Sequence, residues 1–320
     1  MDVWHEVVGT QALPLAGRSV VSVGNFDGVH RGHQHVLRVA RDLAASLGAD
    51  APLPVVAATF EPHPLAVLAP DKAPLRLTTP GQRARLLRAA GADVVAELAF
   101  SREMAAWTPE EFVERVLVEQ VRAAGVVVGE NFRFGHRAAG DVTLLRELGR
   151  EHDFVVESLQ LDGGTHPWSS TLVRRMLADG DVEGATEVLG RAPAVEGVVV
   201  RGDQRGRELG YPTANLPVAP GWSVPSDGVY AGWLRRLDDD SAPLPAAISV
   251  GTNPTFDGLE RRVESYVLDR TDLELYGVPV EVTLVGRIRG QVRFEGIDAL
   301  VEQMSDDVAR TRELLSGEHA

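Results

Sequence analysis

The chain has 320 residues and a formal net charge of −14. That acidity argues against a dedicated nucleic-acid binder, because phosphate backbones are held mainly by clustered Lys and Arg. Cysteine is absent, which removes disulfides, thiolate metal sites and cysteine nucleophiles, and Lys72 is the only lysine, which excludes a lysine-bearing Walker loop.

This length is generous for one compact domain and comfortable for two. No long apolar run and no N-terminal signal pattern stand out, so the expectation is a cytoplasmic protein with no membrane and no nucleic-acid partner. The sequence leaves open whether it is a homo-oligomer.

An apolar run at residues 19–23 reads as a strand and leads into GNFDGVHRGHQ, residues 24–34, with a helical pattern starting near Gln34. Strand, glycine loop and helix N-terminus together aim backbone N–H groups and the positive helix end at one point, which suits a phosphate. His30 and His33 form an HxGH arrangement, with Gly32 letting the backbone come close. Imidazole N–H donors there suit nucleotidyl transfer, by stabilising charge on an α-phosphate as pyrophosphate leaves. A bare HxGH is more often two surface histidines, and only its context decides.

After the loop, Val36, Leu37, Ala40, Leu43, Ala44 and Leu47 fall on one helical face, and Gly48 is placed to stop the helix. The run 54–60 reads as a buried strand, turned out at its C-terminal end by EPHP, residues 61–64. His63 there could reach a nucleotide or simply sit in a rigid turn. A helix over 80–90 and a strand over 93–100 follow. Thr108 with Glu111 predicts a capping box, with Phe112, Val113, Val116, Leu117 and Val121 on the buried face. A strand over 126–128 then enters GENFRFGHRAAGD, residues 129–141, a loop shaped either around a planar ligand or by Phe132 and Phe134 as core plugs. After a strand over 154–159 comes WSSTLVRR, residues 168–175, where Ser170, Thr171 and Arg174 form an anion site at a helix start or, alone, an ordinary cap.

The order GNFDGVHRGHQ, FEPHP, GENFRFG, SSTLVR resembles the FMN adenylyltransferase module of the bifunctional riboflavin kinase/FAD synthetase family, over nearly all of residues 17–189. The resemblance implies that Gly24, Asn25, Phe26, Asp27, His30 and His33 contact ATP. It further implies that Asn131 helps hold the nucleotide and that Ser170, Thr171 and Arg174 hold its triphosphate.

Near residues 189–193 the pattern changes from helical period to short strands with frequent turns. A strand over 196–201 precedes RGDQRGRELGYPTANL, residues 201–216. Gly202, Gly206 and Gly210 make a phosphate-covering loop without lysine, and Pro212 fixes the backbone before Thr213 and Asn215. In an extended segment their side-chain oxygens share one face, as hard donors for Mg²⁺ with nucleotide phosphates, although a glycine turn before an ordinary Thr-x-Asn strand would look the same. Strands over 229–237, 246–251, 262–268 and 280–289 read as a small antiparallel barrel, closed by a helix over 297–315 whose buried side carries Leu300, Val301, Met304, Val308 and Leu315. Glu264 sits among apolar strand neighbours as either a general base or a structural partner of Arg261 or Arg262.

This half, residues 190–316, resembles the riboflavin kinase domain of the same family through RGxxGRxLGYPTAN, DGVYAG, VGTNPTF and VESYVLD. The resemblance implies Thr213 and Asn215 as Mg²⁺–ATP ligands and Glu264 as the base that takes the riboflavin 5′-hydroxyl proton. The expected fold is α/β followed by β. A Rossmann-like nucleotidyltransferase domain with a parallel sheet spans 1–189, and a small antiparallel β-barrel with a terminal helix spans 190–320. The expected activity is phosphorylation of riboflavin to FMN and adenylylation of FMN to FAD. Mg²⁺ serves as cofactor, ATP as co-substrate, and riboflavin, FMN and FAD as substrates and products. Two rivals are weaker. Class I aminoacyl-tRNA synthetases share HxGH but usually add a lysine loop downstream, and a passive flavin or nucleic-acid binder would not turn over ATP.

Overall fold

The computed structural model describes residues 4–6, 15, 17–160, 168–202, 209–255 and 258–317. The chain divides into two compact units, Met1–Pro74 with Thr78–Ser169, and Leu75–Leu77 with Ser170–Ala320.

The first unit is a six-stranded sheet in the order β1-β4-β3-β2-β5-β6, parallel throughout. Its strands are β1 (Trp4–Glu6), β2 (Ser19–Val23), β3 (Val55–Glu61), β4 (Val94–Ala99), β5 (Ala123–Gly129) and β6 (Val155–Leu159). The short β1 had no counterpart in the sequence reading. Between the strands run α1 (Arg31–Leu47), α2 (Pro64–Leu68), α3 (Pro80–Ala89), α4 (Pro109–Phe112) and α5 (Val142–Glu151). α4 continues as a π-helical stretch, Val113–Gln120, behind the predicted capping box of Thr108 and Glu111.

The central strands are apolar on both faces because each face is covered. Val21, Val56 and Val126 pack into one core layer with Trp107, Phe112 and Leu145. Val20, Val55 and Val127 pack into the other with Leu37, Leu43 and Leu87 of the helices opposite. α1 begins at Arg31, a turn earlier than expected, because the N–H of Gln34 already donates to the His30 carbonyl at 3.0 Å. Leu47 lies at the rim, exposed rather than buried. Gly48 stops the helix in an extended conformation, φ −77°, and not in the left-handed one. What glycine allows there is close approach, since a Cβ would collide with the Ala51 carbonyl.

The second unit opens with α6 (Ser170–Asp179) and α7 (Val182–Leu189). The strands β7 (Ala194–Val198), β8 (Thr213–Val218), β9 (Gly228–Arg236), β10 (Leu244–Thr255), β11 (Gly258–Val267) and β12 (Pro279–Gly290) pair antiparallel in the order β7-β12-β9-β10-β11-β8. An isolated bridge from Val200 to Asn215 nearly closes this ring. Alternation places Val280, Val282 and Leu284 inside, and α8 (Ile297–Gly317) packs against β9, β10 and β12.

The helical pair that sequence reading grouped with the first domain packs in this second unit. α7 packs its apolar face against β12, and Arg287 of that strand adds the polar links. Its Nη1 donates to the Asp179 carbonyl at 3.1 Å, its Nη2 to the Asp227 carbonyl at 3.3 Å, and its backbone N–H to Glu183 at 3.1 Å. Gly180, at φ +78°, makes room, for a Cβ there would lie 2.6 Å from Arg287 Nη1.

Candidate functional site

In the first unit, three of the motifs emerge from the C-terminal ends of adjacent strands. Residues 24–34 follow β2, EPHP follows β3 and GENFRFG follows β5. The chain runs from β2 outward through β3 and β4, then returns to β5 on the other side. β2 and β5 therefore flank the switch point, the crevice where open parallel sheets bind ligands.

The loop after β2 is strained and firmly held. Phe26 and Val29 have φ of 48° and 42° and Gly28 80°, a region a β-branched residue rarely enters. Asp27 pins the turn, its Oδ1 accepting from the Thr78 N–H at 3.1 Å and the Thr78 hydroxyl at 3.0 Å. Gln34 closes it, donating from Nε2 to the Val29 carbonyl at 2.9 Å. The loop thus places His30 as the N-cap of α1 without a side-chain cap bond, and the first turn of α1 carries no acidic residue. Its N–H groups and dipole face whatever binds there.

His30 is buried, and its ring stacks on His33 with centroids 3.7 Å apart. Phe26, buried in the core, meets His33 edge-on at 5.1 Å. Gly32 leaves room for this packing, since a Cβ would stand 3.1 Å from both Cε1 and Nδ1 of His30, close enough to displace the ring. Burial, and then the charge on neighbouring His30, hold the His33 imidazole well below its ordinary pKa. Its Nδ1 is buried without a hydrogen-bond partner among the described residues. Two stacked imidazoles at a helix start that has no side-chain cap bond form an arrangement that can donate to a phosphate.

Gly24 packs against the Phe26 ring, and the Asn25 carbonyl accepts from the Thr59 hydroxyl at 3.1 Å. Asp27 and Phe26 therefore shape the loop from behind. His63 caps α2, its Nδ1 accepting from the Leu65 N–H at 3.1 Å. Phe132 and Phe134 stack on each other at 5.5 Å and join the core, so of the two readings of that loop the core plug holds, while Asn131 is exposed. Arg83, unremarked in the sequence reading, is buried between Glu61 at 3.0 Å and Glu97 at 3.7 Å and ties β3 to β4 below the EPHP turn. In the second unit, Ser170 and Thr171 begin α6, and Arg174 Nε donates to the Leu75 carbonyl.

The barrel brings its predicted residues together. Register sets Asn215, Glu264 and Ser249 in one row across β8, β11 and β10, and Thr213, Tyr266 and Ala247 in the next. Partners in a row have Cβ atoms about 5 Å apart and share a face, so the Thr213 and Asn215 donors and the Glu264 carboxylate occupy one surface. Asn215 Nδ2 donates to Thr213 Oγ1 at 3.2 Å, and its Oδ1 faces Gly202, where a Cβ would intrude to 2.6 Å.

Two cavities flank this row. One, of about 100 Å³, is lined by Gly202, Pro212, Thr213, Asn215, Ser265 and Tyr276. The other, of about 260 Å³, is lined among others by Tyr211, Thr213, Glu264, Tyr266, Met304 and Asp307. Thr213 borders both. Leu300, Met304 and Val308 of α8 line the larger cavity, which is why they are half-buried where the helical period predicted a closed core face, and Val301 is half-buried too. Burial, and then Asp269, push the Tyr266 phenol above its ordinary pKa. Gly210 is exposed, and Gly206 lies outside the described residues.

Comparison with known proteins agrees with these two halves. Residues 14–171 match the family model described as FAD synthetase, and residues 189–315 the one described as riboflavin kinase. The chain is 40% identical over 296 residues to the bifunctional riboflavin kinase/FMN adenylyltransferase of Escherichia coli K12, covering 92% of each chain. It is 36% identical over 299 residues to the protein of the same name in Pseudomonas fluorescens, again covering 92% of each. A solved structure titled macrolide-efflux protein from Streptococcus pneumoniae superposes with a TM-score of 0.81 at 34% identity, over 95% of each chain.

Proposed function

The chain belongs to the bifunctional riboflavin kinase/FMN adenylyltransferase family, and from that premise we infer how its residues divide the work. It phosphorylates riboflavin to FMN with ATP, then joins FMN to AMP from a second ATP to give FAD. Flavins are its substrates and products, and ATP is its co-substrate.

We assign adenylyl transfer to residues 1–189 and phosphoryl transfer to 190–320. The start of the kinase match at residue 189 supports that boundary, even though α6 and α7 pack with the barrel. In the first step on FMN, its phosphate attacks the α-phosphate of ATP directly and pyrophosphate leaves. His30 and His33 donate to the charge growing on the α-phosphate, with the α1 amides behind them. The buried Nδ1 of His33, without a hydrogen-bond partner among the described residues, supports this role. Gly24 and Asn25 border the nucleotide, whereas Phe26 and Asp27 set the loop. Asn131 helps hold the nucleotide, and Ser170, Thr171 and Arg174 hold the triphosphate.

In the barrel, riboflavin occupies the larger cavity and ATP the smaller one, with Gly202, Gly206, Gly210 and Pro212 shaping the phosphate loop. Glu264 takes the proton of the 5′-hydroxyl as that oxygen attacks the γ-phosphate. The observation that carries this assignment is the row of Asn215 and Glu264 beside Thr213, which lines both cavities. Thr213 and Asn215 offer neutral oxygens two residues apart, which fit Mg²⁺, a hard cation that keeps several waters and binds chiefly through phosphates. When bound it neutralises phosphate charge. Among the described residues no helix is long and apolar enough to cross a membrane, and we place the enzyme in the cytoplasm with its ATP. The efflux role in the Streptococcus title is not carried over, because both halves of the chain match flavin-enzyme models.

Paired variants test the assignment. Glu264→Gln should lose FMN formation and keep conversion of supplied FMN to FAD, and His33→Ala should do the reverse. Loss of both activities in either variant overturns the residue roles.

A further inference from the structure

The cavity that holds Glu264 takes part of its wall from a helix, and that helix is tied to the barrel by two ion pairs, an exposed one between Arg312 and Asp269 and a buried one nearer the cavity. Arg289, near the end of β12, presents its guanidinium to Asp307 of α8, with Nε 2.9 Å from Oδ1 and Nη2 2.7 Å from Oδ2. Gln303, one turn earlier, donates to the same Oδ1 at 3.1 Å. Asp307 is only 4% exposed, and the Arg289 side chain is 18% exposed. This two-pronged geometry fixes angle as well as distance, which a lysine could not do.

The burial of α8 is asymmetric about Asp307. Beyond it, Thr311 and Leu315 are buried against the barrel, and before it Leu300, Val301 and Met304 are half-buried and Ile297 is exposed. Leu300, Met304 and Val308 stand at successive turns and face the cavity opposite Tyr266 and Glu264. The first half of the helix therefore hangs over the cavity rather than on the core. Its height above Glu264 is set where the ion pair anchors it. Arg289 and Asp307 also line the cavity themselves. Paired, they present no net charge to an apolar wall.

We propose that Arg289 and Asp307 are positioning residues of the kinase step, an ion-pair clamp that holds the first half of α8 at the height that accepts the flavin ring, and so sets riboflavin affinity without touching the transferred phosphate. This rests on the reading of the larger cavity as the riboflavin site. The clamp acts on one substrate only, because the smaller cavity takes no residue from α8.

The test uses the full chain. Arg289→Gln should raise the riboflavin KM on the order of tenfold while kcat and the KM for ATP stay within about twofold, the pattern of lost ground-state binding. FMN conversion to FAD should be unchanged. Arg289→Lys, which keeps the charge and loses the fork, should fall between. The exchange Arg289→Asp with Asp307→Arg should recover part of the riboflavin affinity. A purely structural role would lower kcat and weaken both substrates in step with thermal stability, and that outcome, or an unchanged riboflavin KM, overturns the clamp. Met304→Trp, which fills the cavity, separates the two readings. If it abolishes riboflavin turnover while Arg289→Gln does nothing, the clamp alone is wrong. If it leaves the riboflavin KM unchanged, the cavity assignment fails and the clamp with it.

Discussion

Replacing Gly32 by alanine is the smallest change that addresses the histidine pair. A Cβ at this position would sit 3.1 Å from Cε1 and Nδ1 of His30 and 3.6 Å from the Trp168 Cβ. Carbon atoms rest about 3.5–4.0 Å apart, so His30 must retreat by roughly half an ångström. Its ring is stacked on His33 at 3.7 Å, and the two imidazoles therefore shift as one. Misplacing a reacting group by about 1 Å costs on the order of a hundredfold in rate. Half that displacement corresponds to about tenfold, or about 1.4 kcal/mol of transition-state stabilisation. The fold should not suffer, because alanine is favoured over glycine in a helix by up to about 1 kcal/mol. The assay is the conversion of supplied FMN and ATP to FAD, with riboflavin phosphorylation in the same preparation as the internal control. The expected result is FAD formation down about tenfold with FMN formation intact. FAD formation at the normal rate would refute the claim that the position of these two rings matters.

Gly202→Ala should push the Asn215 amide from its place, since the added Cβ would lie 2.6 Å from Oδ1. Steady-state kinetics should show the KM for ATP in the kinase step raised about tenfold, and FAD formation from FMN spared. Gly180→Ala combines a left-handed φ of +78° with a Cβ 2.5 Å from Ser226 Oγ. Denaturant unfolding of the barrel unit should register a loss of about 2 kcal/mol. The depressed pKa of half-buried His33 also predicts a pH effect. The unfolded chain takes up a proton near pH 6.5 that the native state refuses, so unfolding is favoured as pH falls below that value and the term vanishes above it. Melting temperatures measured from pH 7 down to 5 should fall more steeply for the native protein than for His33→Gln, and parallel slopes would refute the assignment.

How much of this was legible in the sequence depended on whether a signal was local. The loop after β2 was, because glycines and polar residues between a strand and a helix leave few conformations. So was the capping box of Thr108 and Glu111. The pairing of β8 with β11, which sets Asn215 beside Glu264, was not, since register is decided between segments about fifty residues apart in the chain. Periodicity picked the inward stripe of α8 but could not say that part of it faces a cavity. A half-empty site and a closed core ask for the same apolar residues. Likewise, α6 and α7 carry no mark of the unit they join. Packing on β12 and the hydrogen bonds of Arg287 decide that, from about a hundred positions away. The anchoring ion pair of Arg289 and Asp307 escaped for the same reason, being ordinary charged residues until the fold brings them together.

The central claim is that one chain carries a lysine-free nucleotide pocket in each half and performs two successive transfers to a flavin. Incubating the purified protein with riboflavin, ATP and Mg²⁺, and separating the flavins over time, tests it most directly. FMN should rise first and FAD should follow at its expense. A chain that accumulates FMN without FAD, or leaves riboflavin untouched, would contradict it.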